Sequence, residues 1–304
     1  MKLTNDLNLP KPIYNALLSD YKYKEKQFSA TAIIGGLKAL ILQKRHSDEI
    51  EVDISEMTNL LFGIALHKVL EESKEEDDEL KEAYLKYELP NGYNISGRFD
   101  LYNESEKAVK DYKTTSVFKI KIMDYKDWEL QLSIYAWLLN KLGFPTEKGE
   151  IVYFIKDWKK SELNIAKLKN EYYPETQIGT VKFDFTKKDM EETEKYIIDR
   201  FNQIEKYEQL PDDEIPECSM EERFNKGDKY AVKKKNAARA IKVYNTLEEA
   251  EEHLFNANDS TLIIEIREGK NTKCEDYCNA NKFCNFYKNH VLKGEWDECV
   301  NLEL

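Results

Sequence analysis

Two short runs carry the residues best suited to chemistry: Gly97-Arg98-Phe99-Asp100, and Lys110-Asp111-Tyr112-Lys113-Thr114-Thr115 on what reads as the next strand. Side chains two apart share a strand face, so Asp111 and Lys113 point the same way, and a hairpin brings Asp100 beside them. Two carboxylates and an ammonium then converge. Such carboxylate pairs hold hard divalent cations such as magnesium, and a neighbouring lysine orients or helps deprotonate a water and offsets phosphate charge. That combination is suited to phosphodiester cleavage. The plainer reading of Asp111 and Lys113 alone is a salt bridge on an exposed strand.

Two helices add to the pattern. His67 and Glu71 stand four residues apart, as do Gln131 and Tyr135, so each pair shares one helix face. His67 is either a metal ligand or a hydrogen-bonded core histidine. Further on, Cys274, Cys278 and Cys284 form a trio with Cys218 as the fourth available thiolate, and Cys299 lies outside the spacing as a spare thiol. Four sulfurs suit a tetrahedral zinc ion or a cubane iron-sulfur cluster. One distant ligand and irregular spacing are unlike the paired Cys-x2-Cys knuckles of zinc ribbons, which favours the cluster. Free structural cysteines are the plain alternative.

The elements that must position these groups follow from periodicity. A helix is expected from Ser29 to His46 in spite of Gly35-Gly36, and a second with Ser55 as N-cap and Met57, Leu60, Leu61, Ile64 and Leu70 at helical spacing. The acidic run Glu71 to Glu82 reads as solvated. Tyr84 to Leu89, Tyr93 to Tyr102 and Lys107 to Thr114 read as an antiparallel meander. A helix over Asp127 to Leu142 with Leu130, Ile134, Trp137 and Leu138 on one face, then a strand Ile151 to Ile155, complete an α-β-β-β-α-β order. Thr180 to Phe185 reads as a strand, Lys187 to Tyr207 as an amphipathic helix, and Gln209 to Pro216 as an acidic linker. Beyond it lie basic strand-like runs Tyr230 to Lys235 and Arg239 to Tyr244, a helix capped by Thr246, and a strand Leu262 to Ile266.

The chain of 304 residues is 41% hydrophobic, enough for a real core, and Lys+Arg 46 against Asp+Glu 58 gives a net charge of −12. That balance argues against a generic nucleic-acid coat, though a basic cleft inside an acidic shell remains compatible with it. No stretch approaches the roughly 20 apolar residues of a membrane span, and Met1 to Asp6 lacks a secretory apolar region, so a cytoplasmic location is expected. Lys119, Lys121, Lys156 to Lys160, Lys233 to Lys235, Arg239 and Lys242 are the cations available to phosphates. Tyr125, Trp128, Trp137 and Trp158 are the aromatics that could stack on unpaired bases, with core packing as the alternative for each.

The run G-x-x-x-H-x-x-x-E from Gly63 to Glu71, then G-R-x-D, D-Y-K and Q-L-S-x-Y, resembles the PD-(D/E)XK nucleases of the RecB type, including CRISPR-associated and phage recombination exonucleases. The motifs span His67 to Tyr135, and the looser resemblance Phe28 to Trp158. It implies a mixed α/β, restriction-endonuclease-like core with a helical N-terminal part in residues 1–207. Residues 208–304 then form a C-terminal cysteine-ligated module packing back on it. It further implies that His67, Asp100, Asp111 and the Tyr112 carbonyl ligate Mg2+ or Mn2+, and that Lys113 is the catalytic lysine. Gln131 and Tyr135 would contact DNA or support the active centre, with Glu71 behind the ligands. Relatives that staple the nuclease domain with cysteines imply a [4Fe-4S] cluster on Cys218, Cys274, Cys278 and Cys284, with Zn2+ as the alternative. This chain departs from them in its x3 spacing and in a lone cysteine that follows the core. The expected activity is metal-dependent DNA exonucleolysis in phage or bacterial recombination or repair, with linear duplex or single-stranded ends as substrate and a recombination or single-strand-annealing protein as a partner. The rivals are a non-catalytic DNA-binding partner on the same fold, and a zinc-stapled interaction module in which the D-x-K strand is incidental.

Overall fold

The computed structural model describes residues 1–18, 22–74, 76–292 and 301–302, which form two compact units: Met1–Gly35 with Glu51–Lys206, and Gly36–Ile50 with Tyr207–Leu304. The second unit therefore takes a segment from the first 207 residues as well as the C-terminal part. Cys299 lies outside the described residues. Among the described residues no helix is long and apolar enough to cross a membrane.

In chain order the elements open with β1 (Lys2–Thr4), α1 (Lys11–Leu17), β2 (Gln27–Ser29), α2 (Ala30–Ile34), α3 (Leu37–Arg45), β3 (Glu51–Asp53) and α4 (Thr58–Glu71). They continue with β4 (Glu79–Lys81), β5 (Tyr84–Glu88), β6 (Asn94–Arg98), β7 (Leu101–Asn103), β8 (Ala108–Thr115), α5 (Val117–Ile122), α6 (Lys126–Lys141) and β9 (Lys148–Ile155). The remainder is α7 (Lys160–Lys169), β10 (Ile178–Asp184), α8 (Lys187–Tyr207), β11 (Lys229–Lys234), β12 (Lys242–Tyr244), α9 (Leu247–Ala257), β13 (Leu262–Arg267), α10 (Thr272–Asp276) and β14 (Asn301–Leu302).

The first unit is built on a five-stranded sheet of order β10-β9-β8-β7-β4, with β8 and β9 parallel and the other neighbours antiparallel. The β8-to-β9 connection runs through α5 and α6, as a parallel pair requires. Helix α6 is buried on nearly every side: Leu132, Ile134, Ala136 and Leu138 have no exposure, so the single apolar face expected from periodicity understates it. Leu132, Ile134 and Leu138 each contribute about 1.5–3 kcal/mol by leaving water, before conformational entropy is subtracted. A second sheet, β2-β6-β5, pairs β2 with β6 in parallel and β5 with β6 antiparallel.

Three expectations are corrected. The run Tyr93 to Tyr102 is two strands in two sheets rather than the middle of one meander, because the chain turns at Phe99-Asp100, where Phe99 is fully buried and the Asp100 carboxylate accepts the Tyr112 N–H at 2.5 Å. The helix expected from Ser29 does start there, with Ser29 Oγ accepting the Ala32 N–H at 3.1 Å, but Gly35 and Gly36 are extended and split it into α2 and α3. Ser55 does not cap α4: the Asp53 carboxylate accepts the Ser55 N–H at 2.9 Å and opens a 3-10 turn, Ile54–Met57, from which α4 continues. No α4 residue is fully buried, and Leu60, Phe62, Ile64 and Val69 are exposed.

The second unit holds an antiparallel sheet β12-β11-β13-β14 covered by α9 over a small core of Val232, Ala250, Leu262 and Ile264. Thr246 caps α9, its Oγ1 accepting the Glu249 N–H at 3.3 Å, and the strand expected from Arg239 begins only at Lys242.

Candidate active site

Strand β8 runs past the end of β7, whose last partner toward the site is Lys110, and so leaves the Tyr112 N–H for a side chain rather than a ladder. Asp100, at the turn between β6 and β7, fills that place with Oδ2. Its Oδ1 faces His67 Nδ1 from α4 at 3.1 Å, and the same nitrogen lies 3.7 Å from Glu82 Oε1. His67, Glu82 and Asp100 thus bring one ligand atom each within 4.8 Å of one another, and no other trio of His, Cys, Asp or Glu among the described residues does so. Glu82 belongs to the run read as solvated. Its backbone N–H donates to the Asp100 carbonyl at 3.1 Å and its side chain is only 16% exposed, because β4 joins the sheet and ends at this point.

One step along β8, Asp111 is 3% exposed. Gln131 Nε2 donates to its Oδ1 at 2.9 Å, and the Lys113 ammonium stands 2.6 Å from its Oδ2. Tyr135 lies one turn beyond Gln131, its hydroxyl 3.4 Å from the same amide nitrogen. Its ring packs so closely on Gly97 that a Cβ there would approach it to 2.6 Å, which accounts for glycine in the G-R-x-D run. The site therefore unites His67, Asp100, Asp111, Tyr112, Lys113, Gln131 and Tyr135, and adds Glu82. Glu71 stands further out, pairing with Lys68 at 3.3 Å on a more exposed part of α4, and its charge adds to the rise of Glu82.

The electrostatics reflect crowded acids with little water. Burial pushes the Asp111 carboxyl up to about 6, with Asp100 adding to the rise and Lys113 opposing it. Burial also raises Glu82, again helped by Asp100, while the hydrogen bond that His67 donates to Asp100 raises His67 against the opposing effect of burial. Such a set gains from a cation that replaces protons as the counter-charge.

The aromatics offered for base stacking are mostly occupied. Trp128 and Trp137 are 6% and 3% exposed, Tyr125 stacks on Trp128, and Trp158 Nε1 donates to the Pro174 carbonyl at 2.9 Å. Lys119 pairs with Asp127 at 2.7 Å and Lys156 bonds Asn59. Lys159, Lys160, Lys234, Lys235, Arg239 and Lys242 are exposed, and Lys233 pairs with Glu265.

In the second unit Cys218, Cys274, Cys278 and Cys284 line one small cavity of about 30 Å3. Gly36 supports Cys218: any Cβ at that position would collide with the Cys218 sulfur. Burial and the neighbouring thiols raise Cys274 to about 12, and burial raises Cys218 and Cys278.

A pattern spanning residues 58–285 matches the PD-(D/E)XK nuclease superfamily, and the chain belongs to that superfamily, whose nucleases use divalent metals. No curated protein matches the chain. Among solved structures it is similar to SSO0001, with 20% identity and a TM-score of 0.45 over 63% of this chain and 82% of that one. It is also similar to an alkaline exonuclease from Laribacter hongkongensis (11% identity, TM-score 0.37, 66% and 95% covered). A phage-related exonuclease from Haemophilus somnus 129PT is a third likeness (13% identity, TM-score 0.33, 61% and 96% covered).

Proposed function

We propose that this protein is a Mg2+- or Mn2+-dependent DNA exonuclease of the RecB-like type, acting on linear duplex or single-stranded ends in phage or bacterial recombination or repair. The observation that carries the reading is the convergence of His67, Glu82 and Asp100 beside a buried Asp111 paired with Lys113. His67, Asp100 and Asp111 hold the metal, joined by the Tyr112 carbonyl. In an extended strand one residue's N–H and C=O face the same edge, and the Tyr112 N–H faces Asp100. A divalent ion bound there supplies Lewis-acid charge at the scissile phosphate. Lys113 positions the attacking water and offsets phosphate charge, Gln131 holds Asp111 in place, and Tyr135 fixes Gln131.

The four cysteines hold a structural [4Fe-4S] cluster in this reading. The four line one cavity, and their irregular spacing with one distant ligand, unlike the paired knuckles of zinc ribbons, is what supports the cluster over zinc.

The test is degradation of end-labelled linear and closed circular DNA by anaerobically purified protein with magnesium or manganese, beside Asp111→Ala and Lys113→Ala. Loss of linear DNA alone, abolished in both variants, is expected. Nicking of the circle would make it an endonuclease, and salt-sensitive binding without cleavage would make it a non-catalytic DNA-binding partner.

A further inference from the structure

The cysteine cavity is lined by two cations, Lys38 and Arg223, and by no carboxylate, in a chain with 58 acidic residues. Lys38 is 2% exposed, and its ammonium donates to the Ile215 carbonyl at 2.7 Å. Among the described residues no carboxylate pairs with it. An ammonium taken out of water against one neutral carbonyl is costly unless a negative charge stands nearby.

Arg223, the second cation, is paired through Nη1 with Glu217 but leaves one N–H unused. Its side chain is 13% exposed, its guanidinium carbon sits 4.0 Å from the centre of the Phe286 ring, and its Nη1 lies 3.4 Å from Glu217 Oε2. Its Nε is inaccessible to water and has no hydrogen-bond partner. Stacking on Phe286 fixes the guanidinium plane, so the unused N–H keeps a set direction.

We propose that Lys38 and Arg223 are the counter-charges of the centre held by the four cysteines, and that Arg223 Nε–H donates a hydrogen bond to it, so that together they set its reduction potential. This rests on the cluster reading given above. Four thiolates at −1 around a 2+ cluster leave a net charge of −2, which Lys38 offsets in part and Arg223, already paired with Glu217, offsets further. Adding an electron makes the centre more negative, so a nearby positive charge or donor favours the reduced form and raises the potential.

The experiment is a dithionite titration, followed by electron paramagnetic resonance, of anaerobically purified full-length protein with iron and sulfide assayed per chain. Arg223→Met and Lys38→Met are each expected to disfavour reduction about tenfold, a drop of about 59 mV for one electron. Arg223→Lys, which keeps the charge and loses the Nε donor, falls between Arg223→Met and wild type. If Arg223→Met does not retain iron, Arg223→Lys and Lys38→Met carry the comparison. Variants with full iron and sulfide whose reduction equilibrium stays within twofold of wild type overturn this inference alone. A wild-type protein holding zinc without iron overturns the cluster reading, and this inference with it.

Discussion

Gln131 Nε2 donates to Asp111 Oδ1 at 2.9 Å, joining a buried helix to a buried strand at the centre of the site. The bond aims one carboxylate oxygen at α6 and leaves the other facing Lys113. Groups that orient a ligand in this way cost about 10–100-fold in metal affinity or activity when removed. Gln131→Leu is expected to lose activity in that range while folding normally. Nuclease rates and circular dichroism of the variant check it; wild-type rates would mean Gln131 does not orient the ligand.

Glu82 stands 3.7 Å from the nitrogen of His67 that faces Asp100. Glu82→Gln keeps the shape and removes a charge, so Mn2+ affinity is expected to fall at least about tenfold. Calorimetric titration of Mn2+ reads this directly. Glu71→Gln, which acts only at a distance through Glu82, should change Mn2+ affinity less than Glu82→Gln does.

Metal binding should depend on acidity. The Asp111 carboxyl is raised to about 6 in the metal-free protein, so between roughly pH 4 and 6 the folded state holds a proton that the unfolded state releases. Stability of the metal-free fold therefore falls as pH rises through that window. Mn2+ must displace the proton, so its apparent affinity rises by about tenfold per pH unit up to about 6 and then flattens for this group. His67, also raised, extends the rise further. Affinity that is flat from pH 5 to 7 would contradict this.

Gly36 lies where a side chain would strike the Cys218 sulfur. Gly36→Ala suits the backbone, since φ is −64°, yet displaces the thiolate. On the cluster reading proposed above, the expected result is reduced iron per chain and a lower Tm, with Mn2+ binding at the His67 site unchanged.

His46 bridges Glu49 and Asp212 at 2.7 Å each and stacks on Phe283 at 3.9 Å, next to Cys284. Burial works against its protonation, but the two carboxylates prevail and its pKa is raised, while that of Asp212 is lowered by His46 and Arg45 against the opposing effect of burial. The His46 contribution is present below pH 6.5 and lost as pH rises through its raised value, and the Asp212 contribution is lost as pH falls through its lowered value. His46→Gln should therefore lower Tm more at pH 6 than at pH 9. Equal losses at both pH values would contradict the ion pair.

Much of this was legible in the residues. Asp111 and Lys113 face one way because of the two-residue period of a strand, and Cys218, the one thiolate available as a fourth beside the later trio, lines the same cavity as they do. Glu82 was missed because a run of charges hides a three-residue strand whose pairing with β7 depends on distant chain. The turn at Asp100 and the break at Gly35-Gly36 were missed for a related reason. Local periodicity continues through both, and only tertiary partners, Tyr112 and Cys218, end the elements there.

The division of the chain also sets a timetable. Helix α3 is made early, but Ile215 and the cysteines of its unit are made after Tyr207. At 5–20 residues per second, the ribosome takes roughly 8–30 seconds to cover the intervening stretch. During that interval Leu37, Leu40, Ile41 and Leu42 have yet to meet the late-made half of their unit. A nascent chain thus displays an apolar helix that chaperones can hold, and this unit folds last although one of its helices is among the first synthesised.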